Sequence, residues 1–225
     1  MDKTQIRDAA TMIVLRDAET SPSVLMGQRG RDAAFMPGKF VFPGGAVDES
    51  DSAVPVIPAD ELNNGRLAEQ SDVPPNTLIA AAIRELWEET GLILGHPATW
   101  DDPPQGWRGY AATGHQPSGA ALEFFFRAVT PRGRSRRFDA RFFLAYANHL
   151  RSDPDNFSRA EDELSHLQWV PLARAREFDL PFITQVVLAE LVTRIKRDDP
   201  PASVPFFRND DEAHLVARLG NKRLL

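Results

Sequence analysis

The stretch AAIRELWEETGL, residues 81–92, carries Glu85, Glu88 and Glu89 at the i, i+3, i+4 spacing that projects side chains from one side of a helix. Like charges at that spacing repel by about 0.2–0.5 kcal/mol per exposed pair. The three also lie at the C-terminal end of the helix, where the macrodipole disfavours anions. Arg84, four residues before Glu88, is the basic residue set to help. One reading of such a ridge is a solvated acidic face. The other is a bound cation that recovers both penalties, and its chemistry is that of Mg2+ or Mn2+. Hard divalent ions take carboxylate oxygens, keep several waters and bridge to substrate phosphates. Three carboxylates within about one turn can hold one ion, or share more once phosphate oxygens complete the shells. Zinc fits less well, because His96, His115, His149, His166 and His214 show no paired ligand spacing.

A long helix must carry this ridge. Leu78, Ala82, Ile83, Leu86 and Trp87 predict its buried stripe, Asn76 or Thr77 its cap, and Gly91 its end. Apolar runs at 10–16 and 24–28 predict two strands joined by the turn DAETSPS. The Gly- and Pro-rich stretch that follows predicts a loop around a short strand at 40–42. The adjacent pair Gly44 and Gly45 in it can bring backbone close to the acidic ridge and to phosphates. Residues 46–76 contain Pro55, Pro58, Pro74 and Pro75 and read as an insertion with one short helical piece near PADELNNGRLAE. Beyond the helix, 121–130, 141–147 and 167–172 predict strands, and 181–196 an apolar-faced helix. The tail from Asp198 has no clear pattern. Mixed strands flanked by helices predict an α/β sandwich.

Composition limits the partners. The chain has 225 residues, 42% hydrophobic and 26% charged, which suits one well-packed domain. It has no cysteine, so no disulfide framework or thiolate metal site is available. The N-terminal residues hold no apolar run long enough for a signal peptide or a membrane span, so a cytoplasmic protein is expected. A net charge of −6 argues against general nucleic-acid binding and leaves room for an anionic substrate beside a bound cation.

Read together, GG at 44–45 and REL.EE.GL at 84–92 resemble the Nudix hydrolase signature, G-x5-E-x7-R-E-U-x-E-E-x-G-U. Arg84, Glu85, Leu86, Glu88, Glu89, Gly91 and Leu92 match its second half without a gap. The resemblance implies a single Nudix-type α/β/α sandwich around a mixed β-sheet over residues 1–225, with the insertion at about 46–76 and an extension from about 198. It implies hydrolysis, dependent on Mg2+ or Mn2+, of a diphosphate in a small nucleoside diphosphate derivative. Glu85, Glu88 and Glu89 are then the metal ligands, with Arg84 orienting a glutamate. A homodimer is a family expectation. The first half departs from the pattern: counting forward from Gly45 reaches Asp51, counting back from Arg84 reaches Asn76, and neither is a glutamate. The split box, FMPGKFVFPGG before it and RRFDARFF after it, are similar to the subgroup containing the mammalian peroxisomal coenzyme A diphosphatase. Within its signature Gly38, Phe42, Pro43, Gly44 and Gly45 match, and Ala34 stands where arginine is expected.

Further candidates follow. Glu163, six residues before Trp169, stands where many proteins resembling this one carry a glutamate near the metals; it is a candidate base or ligand, with Glu161 its competitor and Glu85 the alternative base. Arg136, Arg137 and Arg141 are candidates for substrate phosphate, as are Arg29 and Arg31 beyond the second strand. The phenylalanines at 124–126 and 142–143 are expected to fill the core.

Overall fold

The computed structural model describes residues 5–197, 201–208 and 216–219. The chain begins with β1 (Ile6–Arg16), β2 (Ser23–Arg29), β3 (Phe40–Val41) and β4 (Gly44–Ala46). Helices α1 (Glu61–Ala68) and α2 (Pro75–Thr90) follow, then β5 (Gly95–Pro97), the short α3 (Arg108–Ala111) and β6 (His115–Pro117). Strands β7 (Glu123–Val129), β8 (Arg137–Tyr146) and β9 (Leu164–Pro171) precede α4 (Phe182–Arg194), β10 (Val204–Phe207) and β11 (Val216–Leu219).

The organising strand is β1. One edge pairs from Ile6 to Leu15 with parallel β8; the other is divided between β4 at Ala9–Thr11 and β2 at Leu15–Arg16, both antiparallel. The mixed sheet runs β11-β10-β7-β8-β1-β2-β3, with β9 also on β2 and β10 parallel to β7. Alternation sends Met12 and Val14 to one face and Ile13 and Leu15 to the other, and all four are fully buried. Helix α2 covers the first face, packing Leu78, Ile79, Ala82 and Ile83 with Phe124 and Phe143. Helix α4 covers the second through Val187, Leu188 and Leu191. Helices on both faces of a mixed sheet make the α/β/α sandwich expected from the sequence. No helix among the described residues is long and apolar enough to cross a membrane.

Two expectations about α2 are corrected. It begins at Pro75 after Pro74, with no side-chain cap from Asn76 or Thr77; instead the Pro74 carbonyl accepts the Thr77 and Leu78 N–H groups. A proline at the first helical position has no N–H to satisfy and a preset φ, so the boundary moves upstream. Nor is the apolar face a single stripe: residues from Leu78 to Ile83 are all fully buried, while Trp87 is only half-buried. The reason is a second cover. Trp107 and Tyr110, from the α3 region, pack on α2 away from the sheet, edge to face with one another and with Trp87 beside Tyr110.

The segment at 46–76 also packs inward. It opens with a 3-10 turn, Glu49–Ala53, and buries Val54, Ala59 and Leu67. Asn63 in α1 is buried, and its Oδ1 accepts the Phe124 N–H at 2.9 Å, satisfying a backbone donor of β7. In the tail, β10 extends the sheet beside β7.

Gly91 ends α2 in the left-handed region, φ 73, with its N–H on the Trp87 carbonyl at 2.7 Å. A Cβ there would lie 2.9 Å from the Arg159 Cβ. Gly91→Ala is expected to cost about 1–2 kcal/mol and lower the melting midpoint by several degrees, measured by thermal denaturation. An unchanged midpoint would show that the turn does not need this backbone conformation.

Candidate active site

The C-terminal half of α2 lies over β1 and β4, and two backbone contacts seat it. The Gly44 N–H donates to Glu89 Oε2 at 2.7 Å. Gly45 sits against the Glu85 carboxylate so closely that a Cβ would overlap it. The close approach foreseen for the two glycines is therefore the packing of backbone onto carboxylates.

Arg84 is buried and engages all five of its donors. Nε and Nη2 take Asp51 Oδ1 and Oδ2 at 2.9 and 3.1 Å, and Nη2 also takes the Ala46 carbonyl at 2.9 Å. Nη1 divides between Glu85 Oε1 at 2.8 Å and Glu88 Oε2 at 2.9 Å. Asp51, 1% exposed, is equally saturated, since Oδ1 also accepts the Trp107 Nε1–H at 3.1 Å and Oδ2 the Asp48 N–H at 2.8 Å. The forward count from Gly45 thus ends on the residue that fixes Arg84, a reading the sequence left unassigned. For Trp107 the sequence carries no signal beyond residue type.

The electrostatics follow from burial. Desolvation works against the Arg84 charge, but Asp51, Glu85 and Glu88 overcome it and hold the guanidinium firmly protonated. Burial pushes Glu85 up to about 7, with Arg84 opposing and Glu88 and Glu163 adding to the rise. Glu88 is also raised, again first by burial. Glu89 is raised well above the usual carboxylate range by burial and then by Glu85, against the Gly44 N–H. Its Oε1 is buried with no hydrogen-bond partner.

Two other candidates join the ridge. Arg29 ends β2 and donates from Nη2 to Glu163 Oε1 at 2.8 Å, where β2 and β9 pair Arg29 with Leu164. The charge of Glu163 is felt by both Glu85 and Glu89, and that of Arg29 by Glu89. The Glu161 N–H donates to the Glu88 carbonyl at 2.8 Å, tying the acidic loop to the helix. The arginines of the hairpin lie apart. Arg137 pairs with Ile6 on the opposite edge of β1 from β4, four residues from Ala10, or roughly 13 Å along the strand. Arg136 precedes it in the turn. Arg141 is internal, bonded to Asp8, to Ser71 Oγ and to the Asp139 carbonyl, and is corrected from phosphate contact to structural ion pair.

The donors suit a hard divalent cation. A buried carboxylate oxygen without a partner is costly, and Glu85, Glu88 and Glu89 offer only oxygens. Among the described residues no three acidic or histidine side chains yet converge on one point. Arg84 draws Glu85 and Glu88 to itself, so the ridge is assembled around a guanidinium and has an unspent oxygen on Glu89.

Comparison with known proteins gives one consistent result. A family model described as NUDIX domain matches residues 74–191. A relative named nudix hydrolase 7, from Caenorhabditis elegans, is 37% identical over 87 residues, 39% of this chain and 22% of that protein. The chain therefore spans 22% of the length of the curated relative it matches. The crystal structure of a NUDIX hydrolase from Alicyclobacillus acidocaldarius superposes with a TM-score of 0.64 at 29% identity, over 84% of this chain and 92% of that one. The NUDIX domain of Shewanella oneidensis NrtR, solved with ADP ribose, shares the fold with a TM-score of 0.51 at 14% identity, over 85% and 90% of the two chains.

Two measurements test this geometry. In metal-free buffer the folded protein keeps a proton on Glu85 up to about pH 7, while the unfolded chain releases it near 4.5. This contribution to stability is full below 4.5 and lost as pH rises through 7, on the order of 3 kcal/mol. The urea midpoint should fall between pH 5 and 8, and fall less in Glu85→Gln; equal slopes in the two proteins would refute the buried protonated glutamate. Separately, Asp51→Ala is expected to cost about 3–5 kcal/mol by leaving Arg84 buried without its partner. Trp107→Phe, which removes the N–H and leaves a cavity where the larger indole was buried, should cost about 2–3 kcal/mol. Equal losses in the two variants, measured in urea, would mean that the aromatic packing and not the hydrogen bond holds Asp51.

Proposed function

The chain belongs to the NUDIX domain family, and from that premise we propose that it is a metal-dependent pyrophosphohydrolase that cleaves a diphosphate linkage in a nucleoside diphosphate derivative. One observation carries the reading: a buried ridge of glutamates, packed on two glycine backbones, in which Glu89 Oε1 has no hydrogen-bond partner. In this reading Glu85, Glu88 and Glu89 hold Mg2+ or Mn2+. A bound divalent ion polarises a phosphoryl oxygen and lowers the pKa of water beside it.

Arg84 works through the glutamates, fixing Glu85 and Glu88 by direct hydrogen bonds. Gly44 and Gly45 keep side chains out of the way where substrate meets the ridge, and Arg29 offers a guanidinium fork to a phosphate. The general base is Glu163 or Glu85. Glu163 has a half-exposed carboxylate bonded to Arg29, and Glu85 is the alternative, held by Arg84 beside the other two glutamates. The oxygen of water bonds to one phosphorus while the bond from that phosphorus to the bridging oxygen breaks. The base takes the proton of the water, and the bridging oxygen leaves with the electron pair on the second phosphate. Catalysis of this kind is chiefly positioning and electrostatic stabilisation.

Coenzyme A or an acyl-coenzyme A is the substrate we propose, on the strength of Gly38, Phe42, Pro43, Gly44 and Gly45 in FMPGKFVFPGG. Product analysis over coenzyme A, acyl-coenzyme A, ADP-ribose, NADH and nucleoside triphosphates, each with Mg2+ and Mn2+, discriminates among the alternatives. On the best substrate, Glu88→Gln and Glu89→Gln should each lower kcat at least ~100-fold, equivalent to about 2.7 kcal/mol. Near-normal turnover in either variant removes the assignment. Binding without hydrolysis across the whole panel would favour a ligand-sensing module.

A further inference from the structure

We propose that Arg29 and Glu163 form an exchangeable pair: a substrate phosphate takes the Arg29 guanidinium and releases the Glu163 carboxylate to Glu85 and Glu89. This rests on the reading of the ridge as a diphosphate site and adds the order of events there.

The pair is incompletely bonded. Arg29 donates from Nη2 to Glu163 Oε1 at 2.8 Å, and its Nε is buried with no hydrogen-bond partner among the described residues. Nε and Nη2 share one edge of the guanidinium, the edge that a carboxylate or a phosphate takes with two oxygens. Elsewhere in this chain both oxygens of a carboxylate close that edge: Asp51 on Arg84, Asp139 on Arg127 and Glu123 on Arg194. On Arg29 a single oxygen holds it. A buried N–H without an acceptor keeps the full cost of leaving water. Arg84, also at the ridge, has all five donors engaged. A phosphate arriving at the ridge therefore finds its guanidinium on Arg29.

The backbones of the pair are fixed. β2 sets Arg29 opposite Leu164, the residue after Glu163. The Arg29 N–H donates to the Lys39 carbonyl at 2.9 Å, and its own carbonyl accepts the Gly38 N–H at 3.2 Å. A Cβ on Gly27 would lie 2.8 Å from the Leu164 Cβ, so the two strands pack without slack. What can move is the Glu163 side chain, 54% exposed against 19% for Arg29. An ion pair with one partner so exposed is held weakly. Two parallel charge-assisted bonds from one phosphate satisfy Nη2 and Nε together, so phosphate displaces the carboxylate from that edge. Glu163 is near enough for its charge to act on both Glu85 and Glu89. Freed from Arg29, it joins them when phosphate is bound; without phosphate it stays engaged.

The test is a double-mutant cycle read by titration calorimetry on the full chain. The probe is methylenediphosphonate with Mg2+, whose P–C–P bridge cannot be hydrolysed. The variants are Arg29→Met, Glu163→Ala and the two combined, each checked for folding by circular dichroism. Arg29→Gln completes the cycle, with the same expected difference, where Arg29→Met does not fold. In the unaltered chain the probe has to break the bond between Arg29 and Glu163, and in Glu163→Ala it does not. Loss of Arg29 should therefore weaken binding by a factor at least threefold larger in the Glu163→Ala background than in the unaltered one. Equal losses mean that phosphate and Glu163 do not compete. A smaller loss in Glu163→Ala means that Glu163 holds Arg29 in place for phosphate. Either result, or no binding of the probe to the unaltered chain, overturns the proposal. Turnover on the substrate panel is a separate readout. Hydrolysis with equal losses keeps the hydrolase reading and removes the exchange; threefold coupling without hydrolysis does the reverse.

Discussion

The buried guanidinium of Arg84 is the interaction on which the rest of this structure depends. Taking such a group out of water costs several kcal/mol unless every donor finds an acceptor, and all five do, on Asp51, Ala46, Glu85 and Glu88. One positive charge cannot neutralise that many carboxylates. The remainder appears as the upward displacement of Glu85, Glu88 and Glu89, for which burial is the largest cause. The site is therefore arranged around one cation and retains an appetite for more positive charge, concentrated at Glu89 Oε1.

What supports the guanidinium comes from three distant parts of the chain. β4 brings the Ala46 carbonyl and the Gly44 N–H, because β2 pairs with β1 only at Leu15–Arg16 and leaves Ala9–Thr11 of that edge to β4. The 3-10 turn brings Asp51, held by a reciprocal capping box in which Asp48 and Asp51 each accept the other's backbone N–H. The α3 region brings Trp107, 56 residues later. An aspartate is shorter than a glutamate by one methylene, so the turn must approach the helix closely. Burial of Val54, Ala59 and Leu67 from the segment that follows pins the turn at that distance.

Much of this was legible in the sequence. The i, i+3, i+4 glutamates, the flanking strands and Gly91 as the helix end all rest on local spacing, which secondary structure preserves; Glu163 came from the family resemblance alone. Asp51 was not legible, since forward and backward counts through the signature disagree and VDESDSAV reads as an exposed polar loop. Its burial comes from contacts 33 and 56 residues away. The second cover of α2 was missed for a related reason: Ala80 and Ala81 look neutral until Trp107 and Tyr110 pack nearby. Arg141 misled in the other direction. It shares its face of β8 with Asp139 and Phe143, but its partner Asp8 is 133 residues away, and no local pattern distinguishes an internal ion pair from a phosphate ligand.

Next to the ridge, the same sheet balances its charges pair by pair. On the α2 face, ion pairs link Asp8, Arg141, Asp139 and Arg127 in that order across β1, β8 and β7. Each charge is flanked by its opposite, and Asp8 joins the row to the turn before Asp51 because its carbonyl accepts the Val47 N–H at 2.9 Å. With two aspartates and two arginines the row has no net formal charge, in contrast to the ridge. Strand pairing sets like charges level, Asp8 with Asp139 and Arg141 with Arg127, and the ion pairs between the two sets offset them.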